Sequence, residues 1–252
     1  VNNIESYLAG QTIGLFIGLF IFGFISYPKI DNKQKVNPDY SVIKNKVVNY
    51  GLPFIPIAIV SWISNLGDRY IIGNYMNLND VGIYTAVYSI ASRPFIMTGG
   101  IVSGFFRPLL FQKESQNEFI TARKTFKVWI ITTLTFFCFV VLFYIVFGEF
   151  LINIFLANEY ADNTYYIYII IGIAYATLGL NQILENRILS FGKSNKIILP
   201  ATLAAIFNIA VNFLLIPTLG ILGAAYATFI AFLVQFMITL LILITIKNKQ
   251  IN

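Results

Sequence analysis

Seven apolar runs divide the chain, and each matches the ~20 residues a helix needs to cross a bilayer. They cover roughly Leu8–Tyr27, Leu52–Met76, Val81–Gln112, Val128–Phe147, Thr164–Ile188, Ile197–Ile216 and Ile221–Ile246. Only 11% of the 252 residues are charged and 58% are hydrophobic. A soluble domain carries about 25% charged residues. One globular core of this size cannot hide so much apolar surface, so the solvent is lipid. The expected fold is therefore all-α, a polytopic membrane helix bundle of about seven transmembrane helices. The third and seventh runs exceed the bilayer's needs and imply tilt or projecting ends. Pro53, Pro56, Pro94 and Pro108 each remove a backbone donor and are expected to kink their helices.

Charge falls on alternate connections. Lys29, Lys33, Lys35, Lys44 and Lys46 follow the first run. Lys113, Arg123, Lys124 and Lys127 follow the third, Arg187, Lys193 and Lys196 the fifth, and Lys247 and Lys249 the seventh. The intervening turns hold no Lys or Arg, and they and their flanks carry Asp80, Glu149, Glu159 and Asp162. The positive-inside rule then puts the N-terminus outside and the C-terminus in the cytoplasm. The net charge of +6 reads as this loop asymmetry rather than as a nucleic-acid surface. The basic segment at 28–50 is open to two readings, a solvated linker or a strip along anionic headgroups.

Several chemistries drop out. The chain has no histidine and one cysteine, Cys138, which removes Ser-His and Cys-His nucleophiles, a disulfide and a cysteine metal cluster. The outside turns are too short for a catalytic domain, and no Asp-x-Asp motif occurs. A membrane-embedded glycosyl- or acyltransferase is therefore an unlikely alternative, and neither cofactor nor metal is expected. The triplet Asp68-Arg69-Tyr70 resembles a seven-helix receptor's signature, but it lies in the second span near the outside, where such a receptor would not carry it.

Ionisable groups inside a membrane are costly and point to function. At ~1.5 Å per residue, Asp68 and Arg69 lie ~11 Å below the outer end of their span, and Arg93 lies ~18 Å down the next. Adjacent residues point about 100° apart on a helix, so Asp68 and Arg69 cannot face only each other. Arg93 is too deep to snorkel easily and is expected to bind an anion such as phosphate in an internal cavity. Arg69 and Asn65 join it as candidate substrate contacts, with Asp68 as a charge-pair or ion-coupling group. Arg107, Glu185 and Arg187 near the cytoplasmic end are a candidate gate, although Arg107 and Arg187 can also snorkel. Asn181, Gln182, Asn208 and Asn212 are candidates for a polar cavity, with plain interhelical hydrogen bonding as the alternative.

Small residues at helical spacing, Gly10-Gly14-Gly18 and Gly100-Gly104, are expected to pack helices closely. "LNDVGIYTA" (78–86) and "LGILGAAYA" (219–227) share Leu-x-x-x-Gly-x-x-x-Ala, a weak internal repeat.

"NYGLPFIPIAIVSWISNLGDRYIIGNYMNLNDVGIYTAVYSIA" (49–91) resembles the start of the C-terminal lobe of bacterial polysaccharide flippases. These are the O-antigen and capsule repeat-unit exporters of the multidrug/oligosaccharidyl-lipid/polysaccharide superfamily. "FFRPLLFQ" (105–112) and "GKSNKIILPATLAAIFNIAVNFLLIPTLGILGAAYATFIAFLV" (192–234) are similar to later parts of that lobe. The resemblance implies two six-helix lobes around a central cavity. It divides this chain into the last helix of the first lobe (1–28), a basic cytoplasmic linker (29–48) and a six-helix second lobe (49–252), with N-terminal helices missing. The implied function is the flipping of undecaprenyl-diphosphate-linked oligosaccharide across the bacterial cytoplasmic (inner) membrane by alternating access, coupled to H+ or Na+. A multidrug or other lipid-linked substrate exporter is the alternative on the same fold. The implied partners are the lipid-linked oligosaccharide and the phospholipid bilayer.

Overall fold

The computed structural model describes residues 2–25, 40–52, 54–156 and 164–248, and every regular element among them is helical. The elements are α1 (Asn2–Ile25), α2 (Tyr40–Gly51), α3 (Phe54–Tyr75), α4 (Leu78–Ser115), α5 (Phe119–Phe155), α6 (Thr164–Ser190), α7 (Ile198–Leu219) and α8 (Ile221–Asn248). A short 3-10 turn, Ser194–Ile197, leads into α7. Two compact units result, Val1–Ile43 and Lys44–Asn252. In the first, α1 is one 24-residue helix with its apolar stretch at Thr12–Phe22. The second holds six helices long and apolar enough to cross a membrane. The protein is thus a multi-pass membrane protein. Lys29, Lys33, Lys35, Pro53, Glu159, Asp162 and Lys249 lie outside the described residues.

In lipid each backbone group must find its partner inside the chain, which makes every apolar run a helix. The breaks are local. Asn77 caps α4 by accepting from the Asp80 backbone N–H at 2.9 Å, and Asp80 in the first turn suits the positive helix end. α7 stops at Gly220, whose φ of 59° suits glycine. α4 runs unbroken through Pro94 and Pro108. Its 38 residues rise ~57 Å, well past the ~30 Å hydrocarbon core.

α5 corrects an expectation. The apolar run begins at Val128, yet the helix begins at Phe119 and spans 37 residues. Its opening turns are amphipathic. Ala122 and Trp129 are fully buried against Val102, Leu110 and Ile183, while Arg123, Lys124 and Lys127 face out. Packing on the long end of α4 extends the helix beyond the lipid-crossing segment. α2 is likewise helical where the sequence reads as linker.

α6 is the hub of the second unit. It packs on α8, α4 and α5, while α7 joins α8 and α3. Helix association in lipid rests on close fit rather than on removing apolar surface from water. α7 and α8 accordingly bury small residues, Ala201, Ala204 and Ala205 on the first and Ala224, Ala225 and Ala227 on the second. A Cβ on Gly223 would lie 2.5 Å from the Leu215 carbonyl oxygen. Its counterpart in the repeat, Gly82, has open space there, so the two copies do not share a packing role. Nor do Gly100 and Gly104 meet any group within 4 Å of a built Cβ. Between α5 and α6 the closest glycine contact is Gly179, where a Cβ would sit 2.6 Å from the Phe137 ring.

Pro94 shows how a proline is accommodated. It cannot donate to the Ile90 carbonyl. The buried Tyr144 hydroxyl from α5 lies 3.5 Å from that oxygen and donates to the neighbouring Ala91 carbonyl at 3.0 Å. One side chain thus supplies donor capacity that the ring removed.

Candidate functional site

Four polar places interrupt the apolar second unit. Basic residues gather at the end holding the α4–α5 and α6–α7 turns, which we call the basic end. The α3–α4 and α7–α8 turns mark the opposite end.

Near the opposite end, Asp68 and Arg69 both turn from α3 to α4. The buried Asp68 accepts from the Tyr84 hydroxyl at 2.8 Å and from the Arg69 backbone N–H at 2.8 Å. Arg69 donates from Nε to the Thr85 hydroxyl at 3.0 Å, lies over the Tyr88 ring at 5.1 Å and keeps its guanidinium 3.8 Å from Asp68. Tyr175 of α6 extends the network by donating to Tyr88 at 2.9 Å, and Tyr84 lies 3.4 Å from Thr228 of α8. Three helices are pinned to one carboxylate-guanidinium pair.

Deeper, toward the basic end, a cavity of about 230 Å³ opens between α3, α6, α7 and α8. Ser61, Ser64, Gln182, Glu185 and Gln235 give it a polar lining. Glu185 accepts from Asn181 at 2.8 Å and from Gln235 at 3.1 Å, and no cation pairs with it among the described residues. Asn208 and Asn212 continue along the α7 face that bears Ala201 and Ala205. They bond to each other at 3.1 Å and do not line the cavity.

At the basic end, Arg187 of α6 pairs with Glu114 of α4, and both side chains are buried. The guanidinium also lies 4.4 Å from the Phe191 ring centre and 5.7 Å from that of Phe126.

The fourth place is the outer face of α4. Arg93, Met97, Gly100, Gly104 and Arg107 fall within about 40° of one line at 100° per residue, and all are exposed in the second unit. Arg93 makes no hydrogen bond or ion pair among the described residues, and Arg107 lies 5.8 Å from the Phe111 ring.

Against the expected sites, then, Arg107, Glu185 and Arg187 do not pair with one another; each has different neighbours. Arg93 does not reach Asp68, whose partners are Tyr84 and Arg69. Gln182 lines the cavity and Asn181 supports it from behind. Asn65 sits on α3, and its side chain falls outside the described part of the structure. Sequence reasoning missed Glu114, Tyr84 and Gln235. Gln235 had a signal, a lone amide inside an apolar helix.

A family model described as polysaccharide biosynthesis protein matches residues 8–165. The chain belongs to that polysaccharide biosynthesis family. Solved structures show the same fold beyond the matched segment. One is a multidrug resistance MATE family transporter of the MOP superfamily in an outward-facing conformation, another a MOP superfamily transporter from Pyrococcus furiosus. Each superposes with a TM-score of 0.62 at 18% identity over 78% of this chain. A MATE structure in a bent conformation gives 0.58 at the same identity and coverage. This polysaccharide biosynthesis chain spans 44% of the length of each. No curated protein matches it significantly.

Proposed function

We propose that the intact protein flips an undecaprenyl-diphosphate-linked oligosaccharide across the bacterial cytoplasmic membrane by alternating access. The basic end is cytoplasmic in this reading, and transport rather than catalysis is the activity. The family, a biosynthetic one for polysaccharide, and the exporter fold both support it. The observation that carries it is Arg93. It is an exposed guanidinium with no hydrogen bond or ion pair among the described residues, ~22 Å from the opposite end of α4, at a depth where lipid offers nothing to solvate it.

A diphosphate crossing the membrane needs cationic donors in place of water. Arg107 and Arg93 lie on one face of α4, ~21 Å apart along its axis, and meet the diphosphate successively as it leaves the cytoplasmic side. Arg69 is held by Thr85, Asp68 and Tyr88, so its role is to position the α3–α4 hairpin. Asp68 is the fixed counter-charge of that hairpin. Coupling to H+ or Na+ belongs to Glu185, a carboxylate in a polar cavity with no cation paired to it among the described residues.

Arg93→Ala in the intact protein should abolish surface polysaccharide and accumulate the lipid-linked precursor at unchanged protein level. Normal polysaccharide would overturn the reading. Glu185→Gln should leave the protein folded but uncouple flipping from the ion gradient, and an unchanged gradient dependence would remove Glu185 from coupling.

A further inference from the structure

Beside Arg93 runs a groove of about 500 Å³ between α4, α5 and α6. That volume falls within the roughly 300–1,000 Å³ of small-molecule sites. Ile90 and Pro94 form one wall, and Phe139, Phe143, Leu151 and Phe155 of α5 the other. The lining is almost wholly apolar or aromatic, and the exposed Arg93 carries its guanidinium at the rim. Tyr144 forms part of the floor, its hydroxyl already given to the Ala91 carbonyl.

The charge is at one end. Tyr144 reaches Ala91, and α4 and α5 are antiparallel, so Arg93 lies beside the Phe139–Val140 end of the groove. Phe155 is ~24 Å further along α5, toward the opposite end of the lobe. An ordinary bilayer lipid keeps its phosphate at the interface, ~15 Å from the midplane, and does not need a guanidinium at Arg93's depth. A lipid whose phosphates have been drawn into the membrane does.

We propose that this groove holds the phosphate-proximal part of the hydrocarbon chain of the lipid-linked anion, with the phosphates at Arg93 and the chain running toward Phe155. The inference rests on the flippase reading and adds a polarity to it. With the basic end cytoplasmic, the phosphates lie nearer the cytoplasm and the chain points outward. That is the orientation of a cytoplasmic-leaflet lipid, so the groove engages substrate before the flip.

The test uses the intact protein in phosphatidylcholine nanodiscs and a short polyprenyl diphosphate, its chain matched to the ~24 Å groove, with a diazirine at the chain end. Labelling should map to α5 between Phe143 and Phe155, and unlabelled polyprenyl diphosphate should compete. Arg93→Gln should lower the yield by about tenfold, as expected for loss of a hydrogen bond to a charged group. Leu151→Trp fills the groove and should lower labelling and flipping together while Arg93 remains; Val140→Phe replaces it if protein yield falls. Equal labelling by phosphatidylglycerol carrying the same group, insensitive to Arg93→Gln, would show an annular lipid and overturn the inference. If groove filling spares flipping while Arg93→Ala abolishes it, the groove inference fails and the transport reading stands. If both spare it, the transport reading fails too.

Discussion

Removing one member of the Arg187–Glu114 pair should destabilise the protein more than removing both. Each side chain is only 7% exposed, so either charge left alone is a buried charge without a counter-ion. Such a loss costs about 3–5 kcal/mol, whereas replacing both charges is often near neutral. For a domain of this size about 1 kcal/mol shifts Tm by ~2–4 °C. Glu114→Gln and Arg187→Gln should therefore each melt roughly 6–20 °C below the parent. The double variant should recover much of that. Phe191 and Phe126 add a second reading of the same site. Arg187→Lys keeps the charge but loses the planar stack, so it should fall between parent and Arg187→Gln. The assay is thermal melting of the intact protein in detergent, followed by fluorescence-detected size exclusion. Single variants within about 2 °C of the parent would refute the reasoning, because a buried lone charge cannot be that cheap. A double variant that melts below the parent by the sum of both losses would refute it equally, since additivity means no coupling.

Two further outcomes follow from packing. Tyr144→Phe deletes the hydroxyl that lies 3.0 Å from the Ala91 carbonyl and 3.5 Å from the Ile90 carbonyl, and should cost about 1–3 kcal/mol in melting stability; Pro94→Ala returns an N–H to the Ile90 carbonyl and should suppress only the part of the loss that falls there. Gly179→Ala drives a Cβ to 2.6 Å from the Phe137 ring and should cost about 1–3 kcal/mol, with Phe137→Leu restoring stability in the double variant.

The helices were legible because lipid forces every long apolar run into one structure, and the run from Ile221 starts where its helix does. The start of α5 was not, since Arg123, Lys124 and Lys127 read as a loop until Ala122 and Trp129 are seen buried against α4. The polar residues were legible as anomalies but not as partners. Asp68 and Arg69 announced a contact, yet nothing in the sequence assigns Asp68 to Tyr84 rather than to Arg93, because helix rotation decides it. Glu185 and Arg187 are two apart and looked like one gate. Their side chains point about 160° apart on α6, one into the cavity and the other to Glu114. Glu114 itself was hidden in a polar run at the end of a long helix.

The most direct test of the transport reading is flipping by the intact protein in proteoliposomes. The substrate is a lipid-linked oligosaccharide with a glycan tag accessible only from outside. The parent should expose the tag with time, Arg93→Ala should not, and Arg93→Lys should recover part of the rate by keeping the charge. Parent-like exposure by Arg93→Ala would contradict the account.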